Sequence, residues 1–154
     1  PIHSKEGVTA IVDYAHTPDA LQNVIGTINE IRKKDQRLYV VVGCGGNRDA
    51  TKRPEMAKIA VDGSDMAVLT SDNPRLEKPG AIIEQMKSGL EPGARYLAIT
   101  DRREAIKAAV ALARPGDIIL VAGKGHETYQ DVGGVKHHFD DREEVRKAFD
   151  SFGK

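Results

Sequence analysis

Four short stretches concentrate the groups able to bind charge: "DYAHTPD" (13 to 19), "GCGGNRDATKRP" (43 to 54), "SDNPR" (71 to 75) and "GKGHE" (123 to 127). In "SDNPR" the guanidinium of Arg75 is a planar fork that matches a carboxylate, and Asn73 beside it offers both a donor and an acceptor, a combination suited to a small zwitterion. The competing reading is an Asx-type turn in which Asp72 or Asn73 bonds the backbone, Pro74 fixes φ and Arg75 points to water. On composition alone the turn is the slightly better reading. Likewise Gly43, Gly45, Gly46, Gly123 and Gly125, taken loop by loop, read as tight turns. Turns do not explain why Arg48, Arg53, Arg75, Lys124, His126 and Glu127 gather in the same few loops.

Several chemistries are excluded. "GCGGNR" lacks the GxGxxG spacing and "GKGHE" lacks the GxxxxGK[ST] pattern, so neither loop is a self-sufficient phosphate cradle. The five histidines show no metal-ligand spacing with cysteine or acids, and no structural metal is expected. Cys44 is the sole cysteine and has no neighbouring base, which fits a small buried thiol rather than a nucleophile. Lys plus Arg total 23 and Asp plus Glu total 23, so there is no net field for nucleic acid or anionic lipid, and a charged ligand must be met locally. Apolar runs such as "IILVA" are far shorter than the ~20 residues of a membrane span. With no leader pattern at its start and no possible internal disulfide, the chain reads as a soluble cytoplasmic module.

The elements that must position these loops alternate. "VTAIVD" (8 to 13), "LYVVVG" (38 to 43), "MAVLTS" (66 to 71), "RYLAIT" (95 to 100) and "DIILVA" (117 to 122) read as strands, separated by segments of helical periodicity. Thr17, Pro18 and Asp19 mark the first helix start, 54 to 63 is the second helix, and Pro79 opens a third carrying Ile82, Ile83, Met86 and Leu90. Asp101 with Glu104 has capping-box spacing. "ETYQDV", "GG" and "VKHHF" predict an antiparallel hairpin at one edge, before a last helix "DREEVRKAF". The expectation is one α/β domain over residues 1 to 154: a Rossmann-like, doubly wound, mostly parallel sheet with that hairpin. Each polar stretch follows a strand directly, so all four belong to the carboxyl rim where such folds bind ligands.

On "VDYAHTPDAL", "VVGCGGNRDATKRP", "SDNPR" and "VAGKGHETYQ", the chain resembles the C-terminal domain of the Mur ligases, from about Val8 to the last helix. "DNPR" resembles the motif that separates meso-diaminopimelate-adding members from lysine-adding ones. The resemblance implies a domain that closes on a central ATPase domain. In the complete enzyme ATP, with Mg2+ held mainly by the central domain, phosphorylates the D-glutamate carboxylate of UDP-MurNAc-L-Ala-D-Glu, and the incoming amine attacks the acyl phosphate during peptidoglycan biosynthesis. It further implies that Arg48, Asn73, Arg75, Gly123 and Glu127 bind meso-diaminopimelate with Asp72 in support, and that Asp13, Tyr14 and His16 lie on the nucleotide side. No catalytic residue is expected in this domain. With the UDP-binding and ATPase domains absent from this chain, no turnover is expected from it alone.

The chemistry of the residues agrees with that role. Diaminopimelate differs from lysine by a distal carboxylate, which a guanidinium can pair and lysine cannot supply. A site built around such a group typically rejects the analogue lacking it by ~10⁴-fold or more. Where many relatives carry Asp in the glycine loop, this chain has Asn47, which bears on how the loop is braced rather than on Arg48. The alternatives are a lysine-adding relative and a free-standing α/β module using the same rim for a nucleotide or a protein.

Overall fold

The computed structural model describes every residue from Pro1 to Lys154. In chain order the elements are β1 (Ile2–His3), β2 (Thr9–Asp13), α1 (Pro18–Ile31), β3 (Leu38–Cys44), α2 (Arg53–Asp62), β4 (Met66–Ser71), α3 (Pro79–Lys87), β5 (Tyr96–Ala98), α4 (Arg102–Leu112), β6 (Ile118–Ala122), β7 (Tyr129–Val132), β8 (Val135–His138) and α5 (Asp141–Ser151). The helix starts follow local chemistry. The Thr17 hydroxyl accepts from the Ala20 N–H at 3.2 Å and Pro18 occupies the first turn, where its missing N–H costs nothing. Asp101 accepts from the N–H groups of Arg103 and Glu104, and Asp140 caps α5 through Arg142. Glu104 does not close a capping box; its carboxylate instead meets Lys107 one turn on.

One sheet has the order β1-β2-β6-β3-β4-β5, with β2, β6, β3, β4 and β5 parallel and β1 antiparallel to β2. Side chains alternate across it, as the two-residue period of a strand requires. Val40 and Val42 of β3 join Leu21, Ile25, Ile28, Met56, Ile82 and Met86 under α1, α2 and α3. Tyr39 and Val41 face the opposite way, with Ile106, Val110, Val145 and Phe149 of α4 and α5. Each such aliphatic side chain, fully buried, contributes roughly 1.5–3 kcal/mol. Helices on both faces explain why β3, β4 and β6 read as continuous apolar runs.

The chain runs β3, β4, β5 outward and then returns through α4 to insert β6 between β2 and β3. The loops after β2, β3 and β6 therefore meet where the strand order reverses, with the loop after β4 beside them. The hairpin forms with the paired strands read from "ETYQDV" and "VKHHF", but as a sheet of its own rather than as an extension of the main sheet's edge. The antiparallel edge of the main sheet is β1. The hairpin instead lies against the loop after β4, where Arg75 pairs with Val132 and exchanges backbone bonds with Asp131 and Gly133.

Candidate functional site

The rim loops are zipped together by their backbones. Gly46 donates to the Asn73 carbonyl at 2.7 Å, Gly123 donates to that of Asp13 at 3.0 Å, and Arg75 donates to that of Asp131 at 2.9 Å. Gly46 lies so close to the 71–75 segment that a Cβ there would stand 1.8 Å from the Pro74 carbonyl oxygen, so no other residue fits. Asn47 and Arg75 both hold left-handed backbone, at φ 55° and 53°. The asparagine accepts this conformation at small cost and uses its Oδ1 to take the Leu76 N–H at 3.1 Å. Asn47 thus braces the 45–48 loop against the 73–77 segment.

Beneath the rim lies a polar network around Lys124, whose side chain is fully buried. Its ammonium donates to Asn73 Oδ1 at 2.7 Å and to the Tyr129 carbonyl at 3.0 Å. It also stands 3.1 Å from Asp72 Oδ1 and 3.8 Å from Glu127 Oε1. The Asp72 contact is an ion pair out of hydrogen-bond alignment, since that buried oxygen has no hydrogen-bonding partner. Burial pushes the Lys124 ammonium below the usual lysine range, with Asp72 pulling the other way and Arg102 adding to the depression. Gln130 fastens the hairpin to this network by donating to the Asp72 carbonyl at 2.8 Å.

Above the network opens a cleft of about 230 Å³. Of the residues singled out from sequence, Arg48, Asp72, Asn73, Arg75, Gly123 and Glu127 line it, as do Tyr14 and His16. Asp13 does not: at the end of β2, its carboxylate accepts the Ala15 N–H at 2.9 Å and shapes the turn that carries Tyr14. The Tyr14 and His16 rings meet edge to face at 4.7 Å, with His16 Nδ1 3.0 Å from the Tyr14 carbonyl oxygen. Arg75 directs one nitrogen, Nη1, to the carbonyls of Gly46 and Asn73 at 2.9 and 3.3 Å. Its Nε and Nη2 make no protein hydrogen bond, which leaves an edge of the guanidinium for a ligand. Arg48 is exposed and bonded only to the Asn47 carbonyl at 3.3 Å. Asn73 turns its amide nitrogen toward Glu127 Oε1, 3.5 Å away.

Four other side chains matter, of which Arg53 and Lys124 stood out in the sequence as rim cations and Arg102 and Asp141 did not. Arg53 is buried beneath the cleft, where it binds Glu77 with two nitrogens at 3.1 and 2.7 Å and donates to the Gly45 carbonyl at 3.0 Å, so its charge is already spent. Arg102 and Asp141 lie fully buried behind the rim. Lys124 was visible as a cation of the glycine loop, but its burial depends on the hairpin folding over it. Cys44 borders the cleft as a buried thiol, and burial, aided by the Asp72 charge, raises it to about 12, so it is not a nucleophile. No group of three or more His, Cys, Asp or Glu side chains converges as a metal site. The cleft therefore brings two guanidinium groups, Arg75 and Arg48, and the Glu127 carboxylate to one opening, a charge pattern complementary to a molecule carrying both carboxylate and ammonium groups.

Comparison with known proteins agrees with this architecture. Residues 1–125 match the family model described as Mur ligase, glutamate ligase domain. A relative from Parabacteroides distasonis, named UDP-N-acetylmuramoyl-L-alanyl-D-glutamate--2,6-diaminopimelate ligase, is 59% identical over 150 residues, which are 96% of this chain and 31% of that protein. A solved structure of a ligase with the same name superposes with a TM-score of 0.91 at 49% identity, covering 99% of this chain and 31% of the other. Escherichia coli FolC, solved in complex with ADP, shares the fold with a TM-score of 0.55 at 22% identity, over 74% of this chain and 25% of that one. The chain thus spans about a third of the length of the ligases it matches. With its doubly wound sheet, its zipped carboxyl rim and a match over most of its length, the chain belongs to the Mur ligase family as a C-terminal, glutamate ligase domain.

Proposed function

We propose that this chain is the amino-acid-binding domain of a cytoplasmic ATP-dependent ligase that joins meso-diaminopimelate to UDP-MurNAc-L-Ala-D-Glu in peptidoglycan biosynthesis. The observation that carries this reading is the free edge of the Arg75 guanidinium in a cleft that also holds the Glu127 carboxylate. The names of the 59%- and 49%-identical relatives support it. In this reading one amino-acid end of the ligand enters the cleft. Its carboxylate takes two parallel charge-assisted bonds from Arg75, with Arg48 adding charge at the mouth. Its ammonium meets Glu127, next to the donor of Asn73. The far amine is left outside the cleft to reach the acyl group.

ATP, when bound, supplies the phosphoryl group that turns the D-glutamate carboxylate into an acyl phosphate. In this reading Tyr14 and His16, at the lip of the cleft ahead of α1, face that nucleotide, with Asp13 shaping the turn that carries them. No group of three or more His, Cys, Asp or Glu side chains converges in this chain, and the steps assigned to it do not pass through Mg2+. UDP-MurNAc-L-Ala-D-Glu and the phosphates fall to the roughly two thirds of the relatives' length that lies outside the matched region. The contribution of this chain is to bind and orient.

A two-dimensional NMR titration with meso-diaminopimelate and, separately, lysine, each with and without ADP, tests the reading. Shifts at Arg48, Asn73, Arg75 and Glu127 with the diacid alone are expected. Equal shifts with lysine at those residues, or diacid shifts confined to other surfaces, would overturn it.

A further inference from the structure

We infer that Lys124 is a positioning residue for the ligand: its buried ammonium turns the Asn73 amide so that only the NH2 group faces the cleft, and leaves the cleft floor one net negative charge. The inference rests on the amino-acid-binding reading above. Oxygen and nitrogen of an asparagine amide are assigned from their partners, and here the partners decide. Asn73 Oδ1 receives two hydrogen bonds, from Lys124 Nζ at 2.7 Å and from the Asp131 N–H at 3.0 Å. Neither group can accept, so a flipped amide would set an NH2 against two donors in a site where Asn73 is buried.

With both lone pairs of Oδ1 taken, Asn73 has only its Nδ2 to offer, and that nitrogen points at Glu127. Asn73 therefore serves the cleft as a donor, toward a carboxylate oxygen of the ligand or toward Glu127 to hold it for the ligand's ammonium. The charges lead to the same place. Asp72 and Glu127 lie within 3.1 and 3.8 Å of one ammonium, so two carboxylates share one counter-charge and one negative charge remains for an incoming cation. The nearby Arg102 does not alter the balance, because Asp141 neutralises it. Without Lys124, two carboxylates would face the ligand without a counter-charge, and the Asn73 amide would be held by the Asp131 N–H alone. The donor at Asn73 would lose the stronger of its two restraints, and the ligand's carboxylate end would meet extra negative charge.

The test is the steady-state kinetics of the complete ligase carrying Lys124→Met. The KM for meso-diaminopimelate should rise at least tenfold while the KM for ATP stays within about twofold. An unchanged diacid KM, or a parallel rise of both constants with a drop in melting temperature, would overturn the inference. If Lys124→Met does not fold, the amide orientation is still readable in the unmodified chain without any ligand. A scalar coupling across the hydrogen bond from the Asp131 amide to the Asn73 side-chain carbonyl carbon is expected, and its absence at full occupancy of the amide signals would overturn the inference. Failure of the broader reading looks different: the unmodified ligase would not use the diacid at all, whatever the coupling shows.

Discussion

Arg102 and Asp141, the first residues of α4 and α5, form a fully buried ion pair with two parallel bonds, Nε to Oδ1 at 2.8 Å and Nη2 to Oδ2 at 2.7 Å. The same guanidinium donates to the Ser71 carbonyl at 3.0 Å and the Ala122 carbonyl at 3.2 Å. These are the last residues of β4 and β6, immediately before Asp72 and Gly123. One buried cation thus ties two helix starts to the two strand ends that launch the cleft loops.

Asp141→Ala should be among the most damaging single changes in the molecule, because it leaves Arg102 buried without a counter-charge. The expected loss is about 3–5 kcal/mol, a large part of the ~5–15 kcal/mol that holds a domain of this size. Replacing both partners with apolar residues of similar size, Arg102→Met with Asp141→Leu, should cost less than the single change, although two strand-end carbonyls then lose a donor. Urea denaturation of the two variants and the parent measures the difference. A single variant as stable as the parent would show that the pair does not carry this load.

Glu77 gives a pH dependence with a definite sign. The two-point bond from Arg53, then the Asn47 N–H, hold its carboxyl down to about 2 from an ordinary value of 4.5. A folded value below the unfolded one means that the stabilisation is complete above about 4.5 and disappears as the pH falls toward 2. Glu77→Gln should therefore lower the denaturation midpoint at pH 7 and leave it nearly equal to the parent's near pH 2. A gap that does not narrow across that window would remove Glu77 from the acid response.

The Cys44 thiol should be silent toward a disulfide reagent at pH 8 in the folded protein and react fully once the chain is unfolded in denaturant. Burial and the Asp72 charge keep the thiolate, the only reactive form, almost unpopulated. Rapid modification of the native protein would mean that the cleft floor opens far more than its packing implies.

The parts of this fold that were legible in sequence are those set by local pattern. Continuous β-branched runs marked β3, β4 and β6, a Thr-Pro pair marked the start of α1, and Gly133-Gly134 marked the hairpin turn. The placement of charged loops after strands was enough to bring Arg48, Asn73, Arg75 and Glu127 to one rim. What stayed hidden is pairing at long range. Arg102 and Asp141 are 39 residues apart, and Arg53 and Glu77 are 24 apart, so nothing in their neighbourhoods distinguishes them from the charged faces of solvated helices. Strand β1 is only two residues long and exists because β2 offers it an open edge. The hairpin's place over the 71–75 segment depends on backbone bonds to a left-handed Arg75, which no propensity describes.

Arg75→Lys in the complete ligase separates charge from shape at the proposed carboxylate contact. Lysine keeps the positive charge and faces the same left-handed backbone cost, but presents a compact ammonium in place of a planar fork. Arg75 now spends one nitrogen on the Gly46 and Asn73 carbonyls and keeps the other edge free; a lysine cannot serve both directions at once. If the fork grips the distal carboxylate, kcat/KM for meso-diaminopimelate should fall by roughly 10²-fold or more, the scale of losing a charge-assisted bond worth ~1.5–3 kcal/mol together with its alignment. The KM for ATP should be nearly unchanged, and the preference for the diacid over lysine should narrow by a similar factor. A variant with parental diacid kinetics would show that the carboxylate is held elsewhere in the cleft, with Arg48 the next guanidinium to test.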